Sequence, residues 1–257
     1  TPWYGSLELL WQLEPGTGAW TEVVQRAARR VASLGQHAAG DAARCAGSPV
    51  NTPHSPAAAG PADVLLLNDT SYWYHWGCSC TSLALHEALR ARGHVVDPVP
   101  IAHLNQLTPL PVNAAQFDDD AVFSDFRANN PGLLARLGAV RTVVVNGEGS
   151  LHDFGTTARA LLYVAYIAAT RLGRRVHIVN HSCYPSTSES ASLDALYRKV
   201  YATAAFVAVR EDQSIARLAA LGINATTSFD CLPLYVARHP VRASRDSGRV
   251  VMAGCAQ

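Results

Sequence analysis

The stretch Thr142–Asp153 has the sequence Thr-Val-Val-Val-Asn-Gly-Glu-Gly-Ser-Leu-His-Asp and joins an apolar run to a glycine turn with ionisable side chains. An apolar run that stops at glycine and polar residues is typical of a buried strand. The turn Gly147-Glu148-Gly149 allows the backbone to approach a ligand, because glycine has no Cβ. The stretch therefore predicts a strand followed by a ligand-binding loop.

Strand and helix patterns alternate on both sides of this stretch. Strands are predicted at residues 63–67, 95–96, 140–145, 175–179 and 206–209, with a weaker one ending near Phe229. Helices are predicted at residues 82–90, 133–137, 158–172, 193–201 and 213–221. Such alternation favours a parallel sheet with helices on both faces. The predicted fold class is α/β, a Rossmann-like doubly wound parallel sheet.

The composition changes along the chain and predicts three regions. Residues 1–61 hold a helical candidate at 21–34 and then an Ala-, Gly-, Pro- and Ser-rich linker, and we expect an N-terminal appendage. Residues 62–238 carry the alternating pattern and form the Rossmann-like domain. Residues 239–257 contain one more strand candidate. We expect them to be the start of a second, incomplete domain.

The composition also limits the class of partner. A chain of 257 residues with 49% hydrophobic content can bury a large core, and its formal charge of +1 argues against a nucleic-acid binder. The sequence shows neither a membrane-spanning run nor a signal peptide, so the expected location is the cytoplasm, with peripheral association at the inner face of the plasma membrane as an alternative. The six cysteines lack the spacing of a zinc site, and we expect no metal. The oligomeric state does not follow from the sequence.

Polar residues follow several of the predicted strands. Because ligands of open parallel sheets bind beyond the carboxyl ends of the strands, we expect these residues to share one cleft. The candidate substrate-binding residues are Asn68, Asp69, His75, Gly77, Asn146, Gly147, Gly149, Ser150, Asn180, His181 and Arg210.

Three further side chains are candidates for the chemistry itself. Glu148, between two glycines, is either an acid/base group or a structural hydrogen-bond acceptor. Asp230 is a loop-ordering carboxylate, a ligand of sugar hydroxyls or a nucleophile. His152 is an acid/base candidate, although loop histidines are often merely exposed. Arg210, which directly follows the predicted strand at residues 206–209, could bind a carboxylate or phosphate through two parallel hydrogen bonds.

The order of these motifs resembles that of the polysaccharide pyruvyl transferase family, over about residues 62–238. The motifs are Asn68-Asp-Thr, His75-Trp-Gly-Cys, Asn146-Gly-Glu-Gly-Ser-Leu-His, Arg210-Glu-Asp-Gln-Ser and Asp230. The resemblance implies two Rossmann-like domains facing a cleft, a glycosyltransferase-B-like architecture of which this chain holds the first half. It also implies transfer of an enolpyruvyl-derived group from phosphoenolpyruvate to a saccharide or lipid-linked saccharide as a ketal. The setting would be bacterial cell-envelope polysaccharide biosynthesis, and no cofactor is expected.

Two departures from the family pattern keep alternatives open. The segment Asn146-Gly-Glu-Gly stands where the family shows a glycine triplet, and His75-Trp-Gly-Cys where it shows Asn-x-Gly-Asp. These departures resemble a branch that includes retaining transferases of ulosonic acids (Kdo) from CMP-activated donors. In that alternative Asp230 is the nucleophile and Glu148 the acid/base. A third hypothesis is a non-catalytic saccharide-binding module, in which Glu148, Arg210 and Asp230 would point away from a common cleft.

Overall fold

The computed structural model describes residues 61–73, 75–151, 155–183, 190–228 and 230–239. All of them belong to one compact unit, Ser55–Pro240. The predictions for residues 1–60, for His152, for a strand end at Phe229 and for residues 240–257 lie outside the described residues.

Six strands form one sheet in the order β2-β1-β3-β4-β5-β6, and all neighbouring strands are parallel. The strands are β1 Val64–Asp69, β2 Val96–Pro100, β3 Thr142–Glu148, β4 Arg175–His181, β5 Phe206–Val209 and β6 Thr226–Thr227. The predicted α/β class with a parallel sheet is confirmed. The chain places β2 on one side of β1 and β3 on the other, so the strand order reverses between β1 and β3. In open α/β sheets ligands bind at this point of reversal.

Eight helices and one 3-10 turn lie between the strands or follow the last of them in the described part of the chain. They are α1 Trp76–Arg90, α2 Ile101–Leu104, the 3-10 turn Ala115–Phe117, α3 Asp120–Asn129, α4 Pro131–Ala139, α5 Thr156–Thr170, α6 Ser190–Tyr201, α7 Asp212–Ala220 and α8 Leu232–Arg238. Helix α1 begins six residues before the predicted start at Ser82, because the His75 side chain caps its first turn. Helix α3 was not predicted. It is capped by Asp119, whose carboxylate accepts from two backbone N–H groups of the first turn, but it buries only Phe126.

The sheet separates two apolar clusters. Leu65 and Leu67 of β1 belong to a large cluster that includes residues of α4, α5, α6 and α7, whereas Val64 and Leu66 pack with Leu85 of α1. Successive side chains of a strand point to opposite faces, so helices cover both faces of the sheet. Helix α8 packs against α1.

Helix α5 is the central helix of the large cluster. Ten of its 15 residues are buried, among them Tyr163, which packs edge-on against Phe117 and Phe126. A helix of this length is about 22 Å long, shorter than the ~30 Å apolar thickness of a bilayer. Within the described residues, every helix is too short or too polar to span a membrane.

Candidate functional site

Three non-glycine residues at the carboxyl ends of adjacent central strands have left-handed backbone conformations. They are Asn68 in β1 (φ 64°), Glu148 in β3 (φ 43°) and Asn180 in β4 (φ 55°). Non-glycine residues adopt this region at an energetic cost, and such residues are enriched at functional sites. All three positions were predicted as site residues, and the structure brings them to one edge of the sheet at the β1/β3 reversal.

The asparagine side chains cross-link these strand ends. Asn68 Nδ2 donates to the Asn146 carbonyl at 2.7 Å, and Asn180 Nδ2 donates to Asn146 Oδ1 at 2.7 Å. Asn180 Oδ1 in turn accepts from the backbone N–H of Cys231 at 3.1 Å, and Asn68 Nδ2 also lies 3.2 Å from Ser150 Oγ. A continuous hydrogen-bonded chain therefore joins β1, β3, β4 and the start of α8.

Glu148 is buried at this edge, with 7% of its surface exposed. Its Oε1 atom accepts from Asn146 Nδ2 at 2.7 Å, from Thr70 Oγ1 at 2.8 Å and from Thr81 Oγ1 at 2.9 Å. Burial raises the pKa of Glu148 above its ordinary value, because desolvation disfavours the charged form, and the hydrogen bonds offset only part of that effect. The carboxyl is thus fixed in place and holds a proton more readily than an exposed glutamate.

Arg210 connects Glu148 to Asp230. Its Nη1 atom donates to Asp230 Oδ2 at 2.6 Å, and its Nη2 atom donates to the Glu148 carbonyl at 3.3 Å and to Ser182 Oγ at 2.9 Å. Asp230 Oδ1 accepts from the backbone N–H of Leu232, which orders the start of α8. Arg210 therefore joins the Asp230 carboxylate to the backbone of Glu148, whereas the Glu148 carboxyl bonds to Thr70, Thr81 and Asn146.

Glu211 explains the spacing of the Arg-Glu-x-x-Ser motif. Its carboxylate accepts from Ser182 Oγ at 3.1 Å and from Ser214 Oγ at 2.5 Å, and Ser214 Oγ accepts from the backbone N–H of Cys183 at 2.7 Å. Glu211 and Ser214 thus fix the end of β4 and hold Ser182 against Arg210. Sequence reasoning missed these roles, because an acidic residue at a helix start resembles an ordinary solvated cap.

Gly147 and His181 are in direct contact across β3 and β4. A Cβ at position 147 would lie 2.3 Å from the Cβ of His181 and 3.0 Å from Leu151 Cδ1. His181 is fully buried, its Nε2 lies 2.9 Å from the Tyr201 hydroxyl, and burial lowers its pKa to about 3. The absence of a side chain at Gly147 is explained by this contact within the protein.

The other predicted residues organise the loop between β1 and α1. Burial would raise the pKa of Asp69, but the hydrogen bond and charge of His86, 3.1 Å away, lower it below its ordinary value. His75 Nδ1 accepts from the Cys78 N–H at 3.3 Å, and a Cβ on Gly77 would lie 3.1 Å from the same imidazole ring.

Two partners of Glu148 were not predicted. Thr70 follows β1, and Thr81 lies on the buried face of α1. Small hydroxyl residues at buried positions of a helix are the sequence signal that could have identified Thr81, since a purely structural face would be apolar. The thiol of Cys78 also faces this cluster, and burial together with the Glu148 carboxylate raises its pKa to about 11. Gly149 is exposed next to Glu148.

A family model described as polysaccharide pyruvyl transferase matches residues 89–253. The chain belongs to this family. Comparisons with curated proteins and with solved structures gave no match. The polysaccharide pyruvyl transferases are a transferase family of polysaccharide biosynthesis, so the resemblance stated from the strand-end motifs is confirmed. The matched span includes Glu148, Arg210 and Asp230, whereas Thr70 and Thr81 precede it.

Proposed function

We propose that the protein transfers an enolpyruvyl-derived group from phosphoenolpyruvate to a cell-surface saccharide, with Glu148 as the proton donor and Arg210 as the anion-binding residue. The observation that carries the proposal is the position of Arg210. Its guanidinium bonds to the backbone carbonyl of Glu148, at the edge of the sheet where ligands of open parallel sheets bind.

Arg210 suits an anionic donor. A guanidinium has five N–H groups, and its hydrogen bonds to Asp230, Glu148 and Ser182 use three of them. The remaining two can bind a phosphate or carboxylate oxygen. The side chain is 22% exposed, so an incoming anion can reach it. Because Asp230 already balances its charge, we expect the donor to share Arg210 with Asp230 or to displace it.

Glu148 suits proton transfer to carbon. In the proposed reaction Glu148 gives its proton to the methylene carbon of phosphoenolpyruvate, and a sugar hydroxyl oxygen forms a bond to the neighbouring carbon. Phosphate leaves with the electron pair of its carbon–oxygen bond, and a second sugar hydroxyl closes the ketal. One hydroxyl proton returns to Glu148 and the other leaves with phosphate. The raised pKa of Glu148 supports this role, because an acid must hold its proton near the working pH.

The proposal includes a setting for the reaction. We place a second α/β domain opposite the carboxyl edge of the described sheet, as in glycosyltransferase-B architectures, where it would supply further contacts to donor and acceptor. The acceptor would be a saccharide or lipid-linked saccharide, and the reaction would occur in the cytoplasm at the inner face of the plasma membrane.

Mass spectrometry of the acceptor tests the proposal. The 257-residue chain is incubated with a panel of saccharides and either phosphoenolpyruvate or a CMP-activated ulosonic acid, and released inorganic phosphate is measured in parallel. We expect a pyruvyl mass increment on one acceptor and an equal amount of phosphate. An ulosonate increment instead would overturn the proposal in favour of glycosyl transfer with Asp230 as nucleophile. Saccharide binding without transfer from either donor would favour a non-catalytic module.

A further inference from the structure

Two threonine hydroxyls each stand between the same two acceptors. Thr70 Oγ1 lies 2.8 Å from Glu148 Oε1 and 2.8 Å from the carbonyl oxygen of Cys78. Thr81 Oγ1 lies 2.9 Å from Glu148 Oε1 and 2.8 Å from the same carbonyl. A hydroxyl carries one proton, so each threonine donates to one of these two acceptors at a time.

Ser82 limits the orientation of the Thr70 hydroxyl. Ser82 Oγ accepts from the Thr70 N–H at 2.9 Å and from Asn146 Nδ2 at 3.2 Å. With both lone pairs used, Ser82 has its own proton left to donate to Thr70 Oγ1, which lies 2.8 Å away. The Thr70 proton is therefore directed either to Glu148 or to the Cys78 carbonyl.

We propose that Thr70 and Thr81 form a hydroxyl switch that follows the protonation of Glu148. When Glu148 is ionised, both hydroxyls donate to Oε1. When Glu148 carries a proton on Oε2, the hydroxyls turn to the Cys78 carbonyl one at a time, because that carbonyl also accepts a helical N–H of α1 and has two lone pairs, while Asn146 continues to donate to Oε1. Only hydrogen atoms move in this change. The carboxyl therefore keeps hydrogen-bond partners in both charge states without any shift of the surrounding heavy atoms.

The hydroxyl switch makes Thr70 and Thr81 positioning residues for a group that must give up a proton and take it back. Because only the hydroxyl hydrogens rotate, the heavy atoms around the carboxyl keep their positions while it loses and regains the proton. Thr70, Thr81 and Asn146 also select Oε2 as the oxygen that carries the proton, because Oε1 is the atom to which all three donors point. Where it concerns catalysis, this inference rests on the proposed function. The protonation of Glu148 can be measured without it.

Several titratable or charged groups surround Glu148 and must be considered in such a measurement. They are Asp69 at the end of β1, Cys78 on α1, His181 on β4, Arg210 after β5, and Asp230 and Cys231 before α8. The imidazole of His181 has a pKa of about 3 and the thiols of Cys78 and Cys231 have pKa values of about 11 and 12. These three groups therefore keep one charge state between pH 5 and 9.

Carbon-13 NMR of glutamate side-chain carboxyls tests the hydroxyl switch in the full chain. The Glu148 signal is assigned by its loss in Glu148→Gln, and its titration is followed in Thr81→Val, Thr70→Val and Thr81→Ser. Thr203→Val is the matched control, because Thr203 Oγ1 also donates to a carbonyl three residues earlier but lies at the opposite edge of the sheet. The two valine variants are independent, so either suffices if the other fails to fold.

Each valine variant removes one donor that stabilises the ionised form. We expect the titration midpoint of Glu148 to rise by about one pH unit in Thr81→Val and in Thr70→Val, and to stay at the parent value in Thr81→Ser and Thr203→Val. An unchanged midpoint in the folded valine variants would overturn the hydroxyl switch. Equal shifts in Thr81→Val and Thr203→Val would overturn it too, since the effect would not depend on the contact with Glu148.

Activity provides a separate readout. If Glu148 is the proton donor, kcat/KM falls as pH rises through its pKa. The pH at which kcat/KM falls should be higher in Thr81→Val than in the parent, and unchanged in Thr81→Ser. A shifted NMR midpoint without any pyruvyl transfer by the parent protein would leave the switch standing and reject the proposed function. A shifted NMR midpoint together with an unchanged pH dependence of kcat/KM would overturn the catalytic part of the inference.

Discussion

Gly147 lies against His181 so closely that a Cβ at position 147 would come within 2.3 Å of the His181 Cβ. The contact is formed by the backbone of Gly147 and the Cβ of a buried side chain, so it cannot be relieved by a change of side-chain rotamer. We expect Gly147→Ala to destabilise the protein by about 1–3 kcal/mol through backbone shifts at the end of β3.

Urea unfolding measures this effect, with Gly138→Ala in α4 as the control. A Cβ at Gly138 would have no atom within 4 Å, and alanine is the better helix former, so this change should be neutral or stabilising by up to about 1 kcal/mol. Equal stability of the Gly147→Ala variant and the parent would contradict the close contact.

Glu148→Gln should reduce transfer by about a hundredfold or more with little change in melting temperature. The amide oxygen can still accept from Thr70, Thr81 and Asn146, so the local packing is kept, but the amide cannot donate a proton to carbon. The matched control is Glu87→Gln in α1, which removes a carboxylate that pairs with Arg238 at the surface. Full transfer activity in Glu148→Gln would remove Glu148 from the mechanism.

Arg210→Lys should raise the KM for the anionic donor by about tenfold or more. Lysine keeps the positive charge but cannot bond simultaneously to Asp230, Ser182 and an incoming anion in the planar geometry of a guanidinium. Steady-state kinetics with varied donor concentration test this. Arg217→Lys is the control, because Arg217 makes an ion pair with Asp194 between α7 and α6. The same rise in both variants would indicate a general loss of stability.

The pH dependence of unfolding should report the burial of His181. The folded state lowers the pKa of His181 to about 3, whereas the unfolded chain binds a proton near pH 6.5. The unfolded state therefore binds more protons between these values, and stability is lost as pH falls below about 6.5, at up to about 1.4 kcal/mol per pH unit.

Urea unfolding at pH 7 and pH 5 measures this loss in the parent and in His181→Phe. The variant should be less stable at pH 7, because the buried Tyr201 hydroxyl loses its partner. Its further loss between pH 7 and 5 should be smaller than that of the parent. An identical pH dependence in both proteins would contradict this prediction, because His181 would then not be the group that takes up a proton on unfolding.

The parallel sheet could be predicted because its strands are short apolar runs that end at polar residues. The boundaries were less predictable. Residues 142–145 of β3 were recognised as apolar, but the strand continues through Asn146, Gly147 and Glu148, where the sequence indicated a loop. Pairing of Glu148 with His181 of β4 extends the strand, and this long-range contact has no local signal.

The strand-end rule placed Glu148, Arg210 and Asp230 at one edge of the sheet. It did not identify the partners of each group, because hydrogen bonds such as those from Thr70 and Thr81 to Glu148 join residues 78 and 67 positions apart. The sequence also attributed Gly147 to the close approach of a ligand, whereas in the structure His181 occupies the space that a side chain at this position would need. The predicted acid/base role of His152 lies outside the described residues and stays a prediction.

The left-handed backbone of Glu148 is a conformation that glycine, the residue expected at this loop from the family resemblance, would adopt without strain. Asn68 and Asn180 are of the type that tolerates positive φ best after glycine, but glutamate has no such tolerance, and its conformation at φ 43° costs about 1 kcal/mol or more. Glycine at position 148 would relieve that cost and remove the carboxyl. The chain thus retains a residue that its own backbone disfavours. Because backbone conformation alone would favour glycine at this position, the presence of glutamate points to a role for its carboxyl group.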